Sequence, residues 1–576
     1  MYRFHMLQMH SRCWLAVLIQ MVGLSLVLGW WGVRGRAIPL AQLPSAQAAT
    51  LPCVSYSPFH RGDINPFNYQ ASVTPAHIEA DLRLLKTRTN CIRTYGLSQG
   101  LDGVPAVAAQ LGMRVNLGVW LSRDAAQNQA QLQRGLELAQ QYKGTVTRLV
   151  VGNEVLLRRE MAPDALGKIL DYAKQHSPVP VTYADVWEFW LRHAELADHV
   201  DIITVHILPY WEDDPVAVGD AVAHVLSVAQ KVQKAFAGKP VWVGETGWPA
   251  AGRQRAGAVP GRVEQARFLR ELLQRTSGAN GAALDYNFIE AFDQPWKRSF
   301  EGAMGGYWGL FDPNGQAHAA MSGAVTEDAR WWRGGLGALA GAVVGILWGL
   351  LWTRFARMRS GGVTGQVQGA GLVIVLPALA CATLGALVPA QWLMVQQWDR
   401  TSLEQSVSGA LALVSALVTW VCALRWMQGL GVQGVLQAGR GERLARPTRW
   451  QVPLAKVEYG LRFALLFAAA SAALVLLLDS RYRPFPWWWF VAPTTSVLAL
   501  RLAGYATFGA QAHKQQVLAC ILAVCSVVIA ITDGWHNAQA LVYCALLLVL
   551  AAAAAWPSRT KTSAASSAAG AHSSVV

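Results

Sequence analysis

The residues best suited to chemistry in this 576-residue chain recur at regular intervals. Short apolar runs rich in β-branched residues lie between Leu51 and Trp296. They close in clusters that can react or bind: Tyr56, Arg93–Tyr95, Asn153–Glu154, Tyr183–Asp185, His206–Tyr210, Glu245 and Glu290–Trp296. Strands that only pack do not end so regularly in carboxylates and rings. Glu154 and Glu245 are the pair on which a two-carboxylate mechanism can be built, one ionised to attack and one protonated to assist a leaving group. Asn153 beside Glu154 offers an amide to a substrate hydroxyl. Gly244 and Gly247 flank Glu245 and admit close backbone approach, and Trp248 offers a flat apolar face. His206 reads as a positioning or core histidine rather than a general base.

Those clusters need a frame. The strand candidates are Cys53–Phe59, Cys91–Gly96, Arg114–Leu121, Arg148–Val155, Pro180–Trp187, Val200–Trp211, Pro240–Pro249 and Ala283–Trp296. Helix-like stretches separate them. One has Thr74 as N-cap and Pro75 at its first position. Alternating strands and helices make a parallel sheet, and eight repeats in about 250 residues make an α/β chain with a (β/α)8 TIM barrel, active at the C-terminal strand ends. Strands about 4.8 Å apart close such a barrel at a radius of roughly 7 Å. Glutamates on the fourth and seventh strands then bring their carboxyls to about 5–6 Å, close to the separation of retaining glycosidases. Trp187, Tyr210, Trp211, Phe292, Trp296, Tyr307 and Trp308 suit the core singly; gathered at strand ends they outline a groove for sugar rings. There is no HExxH, GxSxG or phosphate-binding loop and no cluster with metal-ligand spacing, so no cofactor is expected.

The stretches RTYG (Arg93–Gly96), VGNEV (Val151–Val155), HILPYW (His206–Trp211), VGETGWP (Val243–Pro249) and EAFDQPWK (Glu290–Lys297) resemble glycoside hydrolase family 17. That family comprises β-1,3-glucanases and β-1,3-glucan glucosyltransferases, and the likeness covers roughly residues 51–325. It implies a double displacement on β-1,3-glucan, with Glu154 as acid/base and Glu245 as nucleophile. It implies that Asn153 orients substrate and that Tyr210 holds Glu245. The expected substrate-binding set is Tyr56, Arg93, Tyr95, Asn153, Asp185, Trp187, His206, Tyr210, Trp248, Glu290, Phe292 and Trp296. Transglucosylation is the alternative reaction, and a sugar-binding receptor for transport or export is the alternative of another class. Some bacterial relatives join such a barrel to a glucan synthase, so a glucan synthase or export complex is an expected partner.

Composition sets the rest of the chain apart. Hydrophobic residues make up 53% and charged residues 15%, too few charges for a wholly soluble chain. The net charge of +14 does not point to nucleic acid. From Gly334 on, 17 basic residues face 6 acidic ones, whereas residues 37–333 carry a net charge of −1. The basic excess flanks apolar runs near 14–33, 334–353, 369–389, 406–424, 460–478, 487–503, 516–532 and 538–556, eight expected spans. Basic residues cluster in alternate loops: Arg354 to Arg359, Arg425 to Lys456, Lys514, and Arg559 with Lys561. The positive-inside rule puts both termini in the cytoplasm of a bacterial inner membrane and the barrel in the periplasm. The small residues at Ala46–Ala49 lie too far beyond the first run for signal cleavage, so residues 1–36 read as a cytoplasmic end and an anchor. The expected division continues as linker 37–50, barrel 51–330, a bundle of about seven further spans at 331–556, and a disordered tail at 557–576. Cys53 and Cys91 are the two cysteines of the barrel block; they are either a disulfide or a reduced core pair.

Overall fold

The computed structural model describes residues 2–43, 50–62, 64–68, 70–277, 283–317, 321–359, 370–437, 451–504 and 512–555. The expectations at Ala46–Ala49, at the basic loop Arg440–Arg449 and in the tail from residue 557 lie outside them. Among the described residues eight parallel strands close into one barrel. They are β1 (Val54–Ser55), β2 (Cys91–Arg93), β3 (Arg114–Val119), β4 (Val146–Asn153), β5 (Val181–Val186), β6 (Ile202–His206), β7 (Val241–Thr246) and β8 (Asp285–Phe288). Val54 pairs with Ile92 on one side and Phe288 on the other, which closes the ring. Helices fill the intervals. Pro75–Leu85 starts where Thr74 Oγ1 accepts from the His77 amide, and Ala125–Gln141 starts at Asp124, which caps two amides. Val54, Ile92, Val115, Leu117, Leu149, Val151, Val181 and Ile203 are wholly buried and fill the space between strands and helices.

The strands are shorter than the apolar runs that announce them. Val200–Trp211 contributes only Ile202–His206 to the sheet, and Ala283–Trp296 only Asp285–Phe288. Pro209 and Pro295 stand in the surplus residues and cannot donate to a ladder, so that surplus forms the rim of the mouth. Cys53 and Cys91 are bonded, which ties the entry of β1 to β2. The expected linker opens with a strand: Ala37–Ile38 pairs with Val325–Thr326, so the chain enters and leaves the barrel side by side.

Among the described residues seven helices are long and apolar enough to cross a membrane, from Arg12–Gly35 to Ala538–Ala555. The remaining expected span, 487–503, is not one of them. It is a turn at Trp487–Trp489 followed by the 12-residue helix Val491–Leu502, whose start is delayed by Pro486. It nonetheless lies along the N-terminal helix from end to end. Trp488 meets Trp30 with ring centroids 4.2 Å apart. Ser496 accepts from Gln20 at 3.0 Å, and Gly504 reaches Arg12. Arg12 to Trp30 is about 27 Å of helix at 1.5 Å per residue, close to a bilayer's hydrocarbon thickness. At the Arg12 end, Arg501 donates to the carbonyls of Ala553 and Ala554. The first and last bundle helices therefore end together, away from the barrel.

Small residues govern the packing here. Gly337, Gly341, Gly345 and Gly349, four residues apart, press on Gly385, Cys381, Ala378 and Ile374; a Cβ on any of them would fall within 2.8 Å of the opposite backbone. Toward the Arg12 end, buried Glu458 accepts from Arg425 at 2.8 Å and also pairs with Arg462, which completes its contacts on Gln515.

The barrel docks on the other end. Arg253, 3% exposed, donates to the Arg483 carbonyl at 2.8 Å and pairs with Asp533. Gln254 exchanges hydrogen bonds with His536, Asn537 and Gln539. Arg298 and Tyr307 donate to the Gln397 carbonyl. All four residues belong to loops that follow β7 and β8, so the bundle meets the barrel at its mouth. Reporters fused at the two termini should therefore give the same sidedness, opposite to one inserted near Gly252. A split result would show that 487–503 does not cross.

Candidate active site

The strand ends that carry the two glutamates are irregular, and the irregularity aims them. The β4–β5 register slips between Val150 and Asn153, Gly152 and Glu154 both take positive φ (+88° and +53°), and the Glu154 amide reaches across to Ala184 O. The β6–β7 register slips before His206, which then lies directly opposite Glu245. His206, with no exposed side-chain surface, sits between the two carboxylates. Nδ1 lies 2.8 Å from Glu154 Oε1, and Nε2 lies 3.5 Å from Glu245 Oε1. The donor atoms of these three residues all fall within 4.8 Å of one another, which is the close spacing that the barrel arithmetic anticipates.

Beneath them lies a buried cation. Arg93 Nη1 donates to the Gly244 carbonyl (2.7 Å) and to Glu245 Oε1 (3.1 Å), and Nη2 donates to Asn153 Oδ1 (2.5 Å). A side chain at 244 would close this space: a Cβ there would lie 2.5 Å from Thr204 and 3.3 Å from Arg93. Arg93 Nη1 also lies 3.3 Å from His206 Nε2, so the histidine presents a lone pair there and its proton faces Glu154. Tyr95 donates to Glu245 Oε1 at 2.8 Å, with Ser55 Oγ 2.8 Å from the same hydroxyl. Glu154, His206 and Glu245 have the atoms to bind a metal, but Arg93 already supplies positive charge to that space.

The two carboxylates differ in setting. The Glu245 side chain is 7% exposed and lies deep; the Glu154 side chain is 23% exposed and faces the mouth. Burial pushes the Glu154 carboxyl up, but the hydrogen bond from His206, together with the charges of Arg158 and Arg93, pulls harder and leaves it below its ordinary value. Arg158 also braces the turn, donating twice to the Asn153 carbonyl and lying 4.0 Å over the Trp120 ring. Glu290 is wholly buried against Lys297 (2.9 Å), and burial raises it to about 8 despite that lysine. Half-buried Glu301 is raised to about 7 by burial and, against the pull of Lys297, by the charges of Glu154 and Glu245.

Arg93, Tyr95, Asn153, His206 and Glu290 thus gather around the glutamates. Trp187 and Trp296 stand half-buried on the rim, Trp187 beneath Lys231 and Trp296 against Phe67. The remaining expected residues are elsewhere. Tyr56 points away from the barrel axis and donates to Asp81; the inward position on β1 is Ser55. Asp185 is fully buried, accepts from Tyr183 and the Val186 amide behind Glu154, and is raised to about 6 by burial. Trp248 is wholly enclosed, with Nε1 on the Val259 carbonyl, so it offers no open face. Phe292 is buried against His60 at 4.0 Å. Tyr210 does not hold Glu245: its hydroxyl is spent on the Arg253 carbonyl, and Tyr95 does the holding. Tyr95 is in the expected set and is the inward neighbour of Arg93; its hold on Glu245 was not expected, and alternation along β1 could have found Ser55. Lys297 stands in EAFDQPWK, whereas Glu301 had no signal.

The model of the BtgE/BtgC glycoside hydrolase domain matches residues 53–309. A glucan 1,3-β-glucosidase of Candida albicans is 27% identical, over 40% of this chain and 82% of that protein. A glucan 1,3-β-glucosidase of Schizosaccharomyces pombe is 31% identical over 237 residues, covering 38% of this chain and 72% of the relative. The chain belongs to glycoside hydrolase family 17. A solved family 17 β-1,3-glucanosyltransferase of Rhizomucor miehei is 25% identical, covering 48% of this chain and 99% of that one at a TM-score of 0.41. Family 17 thus accounts for the barrel, and the bundle lies outside the matched residues.

The role of His206 is open to a pH test. It stabilises the ionised form of Glu154, so its loss should raise the pH at which Glu154 gives up its proton. In His206→Phe the alkaline limb of the kcat/KM profile should move to higher pH. An unmoved limb would assign that limb to another group.

Proposed function

We propose that this family 17 member is a membrane-borne retaining enzyme acting on β-1,3-glucan by double displacement. The observation that supports it most is the presence of a Glu154 oxygen and a Glu245 oxygen within 4.8 Å of each other, one facing the mouth and one lying deep. Retention needs the shorter carboxyl separation, about 5–5.5 Å, because no water has to fit between nucleophile and sugar. Glu245, held by Arg93 and Tyr95, attacks the anomeric carbon as Glu154 protonates the departing glycosidic oxygen; bound sugar displaces water from the mouth and so raises Glu154 from its low resting value toward the protonated form this step uses. The bond from sugar to leaving group breaks as the bond to Glu245 forms. Glu154, now ionised, takes a proton from water or from a glucan hydroxyl, which attacks the same carbon and releases Glu245. Water gives hydrolysis and a glucan hydroxyl gives transfer. Asn153 has its oxygen committed to Arg93, which leaves its amide nitrogen to the sugar 2-hydroxyl.

In this reading residues 51–330 form the catalytic unit outside the membrane, in the periplasm, with 1–36 and 331–556 in the inner membrane and both termini cytoplasmic. The alternation of basic loops supports that orientation. A receptor that only binds sugar has no use for a buried cation clamping one of two close carboxylates, which favours catalysis over export.

Glu245→Ala should lower turnover of laminari-oligosaccharides by about 10³-fold or more, with partial return on adding azide as a replacement nucleophile. Glu154→Ala should cost about 10²- to 10⁴-fold on substrates with poor leaving groups and far less on activated aryl glycosides. Near-native activity in either variant would overturn these roles. Product analysis then separates the outcomes: reducing ends mean hydrolysis, longer chains mean transfer, and wild-type binding without turnover would leave a receptor.

A further inference from the structure

The bundle loop that joins Leu478 to Trp487 touches the barrel mouth on both sides of the docked rim. On the β6 side, Arg481 pairs with Asp213 at 3.1 Å, donates to the Trp211 carbonyl at 2.8 Å and lies 4.6 Å over the Trp211 ring. Tyr482 meets that ring edge-on, with centroids 5.9 Å apart. On the β8 side the Tyr482 backbone is pressed against Gly302; a Cβ on Gly302 would lie 2.4 Å from the Tyr482 carbonyl oxygen. Gly302 follows Glu301, the carboxylate that lies in the field of both Glu154 and Glu245. Trp211 is five residues beyond His206, which touches both glutamates. The loop therefore flanks the space between two rim segments that lead directly to the site.

Its chemistry suits a sugar. Trp211, Tyr482 and Arg481 are all partly exposed, and the Asp213 side chain is 96% exposed. A glucosyl unit presents an apolar C–H face and a ring of equatorial hydroxyls. The exposed edges of the Trp211 and Tyr482 rings take the first, since Arg481 and Arg255 already lie over the Trp211 ring, and a guanidinium beside a solvated carboxylate takes the second. Resting on the β-1,3-glucan reading above, we propose that Arg481 and Tyr482 of the membrane bundle join Trp211 and Asp213 of the barrel in one glucosyl subsite at the rim. The membrane half then contributes directly to recognition of the polymer, and chain length is sensed by a residue pair that no soluble relative of the barrel alone would carry.

The test compares kcat/KM of the full-length protein in detergent for a β-1,3-linked glucose heptamer and for an aryl β-glucoside, which is too short to reach the rim. Tyr482→Ala and Arg481→Ala should each lower the ratio of heptamer to aryl glucoside by about ten-fold, the size of one good aromatic or charged contact. An equal proportional loss on both substrates would make the loop a structural prop for the site and overturn the proposal. An unaltered ratio in both variants, with wild-type turnover intact, would overturn it alone. Wild-type protein inert toward both substrates would remove the β-1,3-glucan reading and the subsite with it.

Discussion

One buried guanidinium organises the mouth of this barrel. Arg93 carries no exposed side-chain surface, yet it touches Glu245, Asn153, the Gly244 carbonyl and the edge of His206. Taking such a charge out of water is costly, and removing one partner of a buried pair typically costs about 3–5 kcal/mol. The surrounding design follows from that cost. Position 244 has no side chain because a Cβ there would run into Thr204 and crowd the arginine and His206. Asn153 is turned so that its oxygen meets a donor. His206 takes the tautomer that leaves a lone pair toward Arg93 and a proton toward Glu154. A single cation thus anchors one carboxylate and, through the histidine, orients the hydrogen bond to the other.

The division of labour between the carboxylates grows from this asymmetry. Glu245 receives Arg93 and Tyr95 directly and lies deep, whereas Glu154 receives His206 alone among the described residues and stands nearer solvent. Glu290 and Glu301 are two further acids that burial pushes toward the protonated state, against the pull of Lys297 on both. The strand ends supply the geometry. Each register slip lets a residue leave the regular inward and outward alternation just where the sheet meets the mouth.

The alternation of eight apolar runs with capped helices was legible as a barrel, because the period-2 and helical patterns are local and barrel closure follows from their number. Glu154 and Glu245 were legible for the same reason, since they end runs. Three of the expected aromatic residues were not. Trp248, Phe292 and Tyr210 fold back under the rim because the strands stop early and the surplus residues become loops; whether a loop ring faces core or cleft depends on contacts with distant segments such as Val259, His60 and Arg253. Tyr56 was missed by one step of alternation. The span at 487–503 was overestimated because hydropathy does not register the prolines that shorten its helix. The docking of mouth on bundle left no periodic trace at all: Gln254 and Gln539 are 285 residues apart.

That docking has a thermodynamic meaning. Among the described residues the bundle meets three rim loops, those after β6, β7 and β8. Any molecule held more tightly by the docked rim than by a free one must strengthen the docking by the same factor, since the two equilibria share one cycle. Occupancy of the mouth and cohesion between the two halves of the chain are, in that sense, one linked quantity, and a signal entering at either can be read at the other.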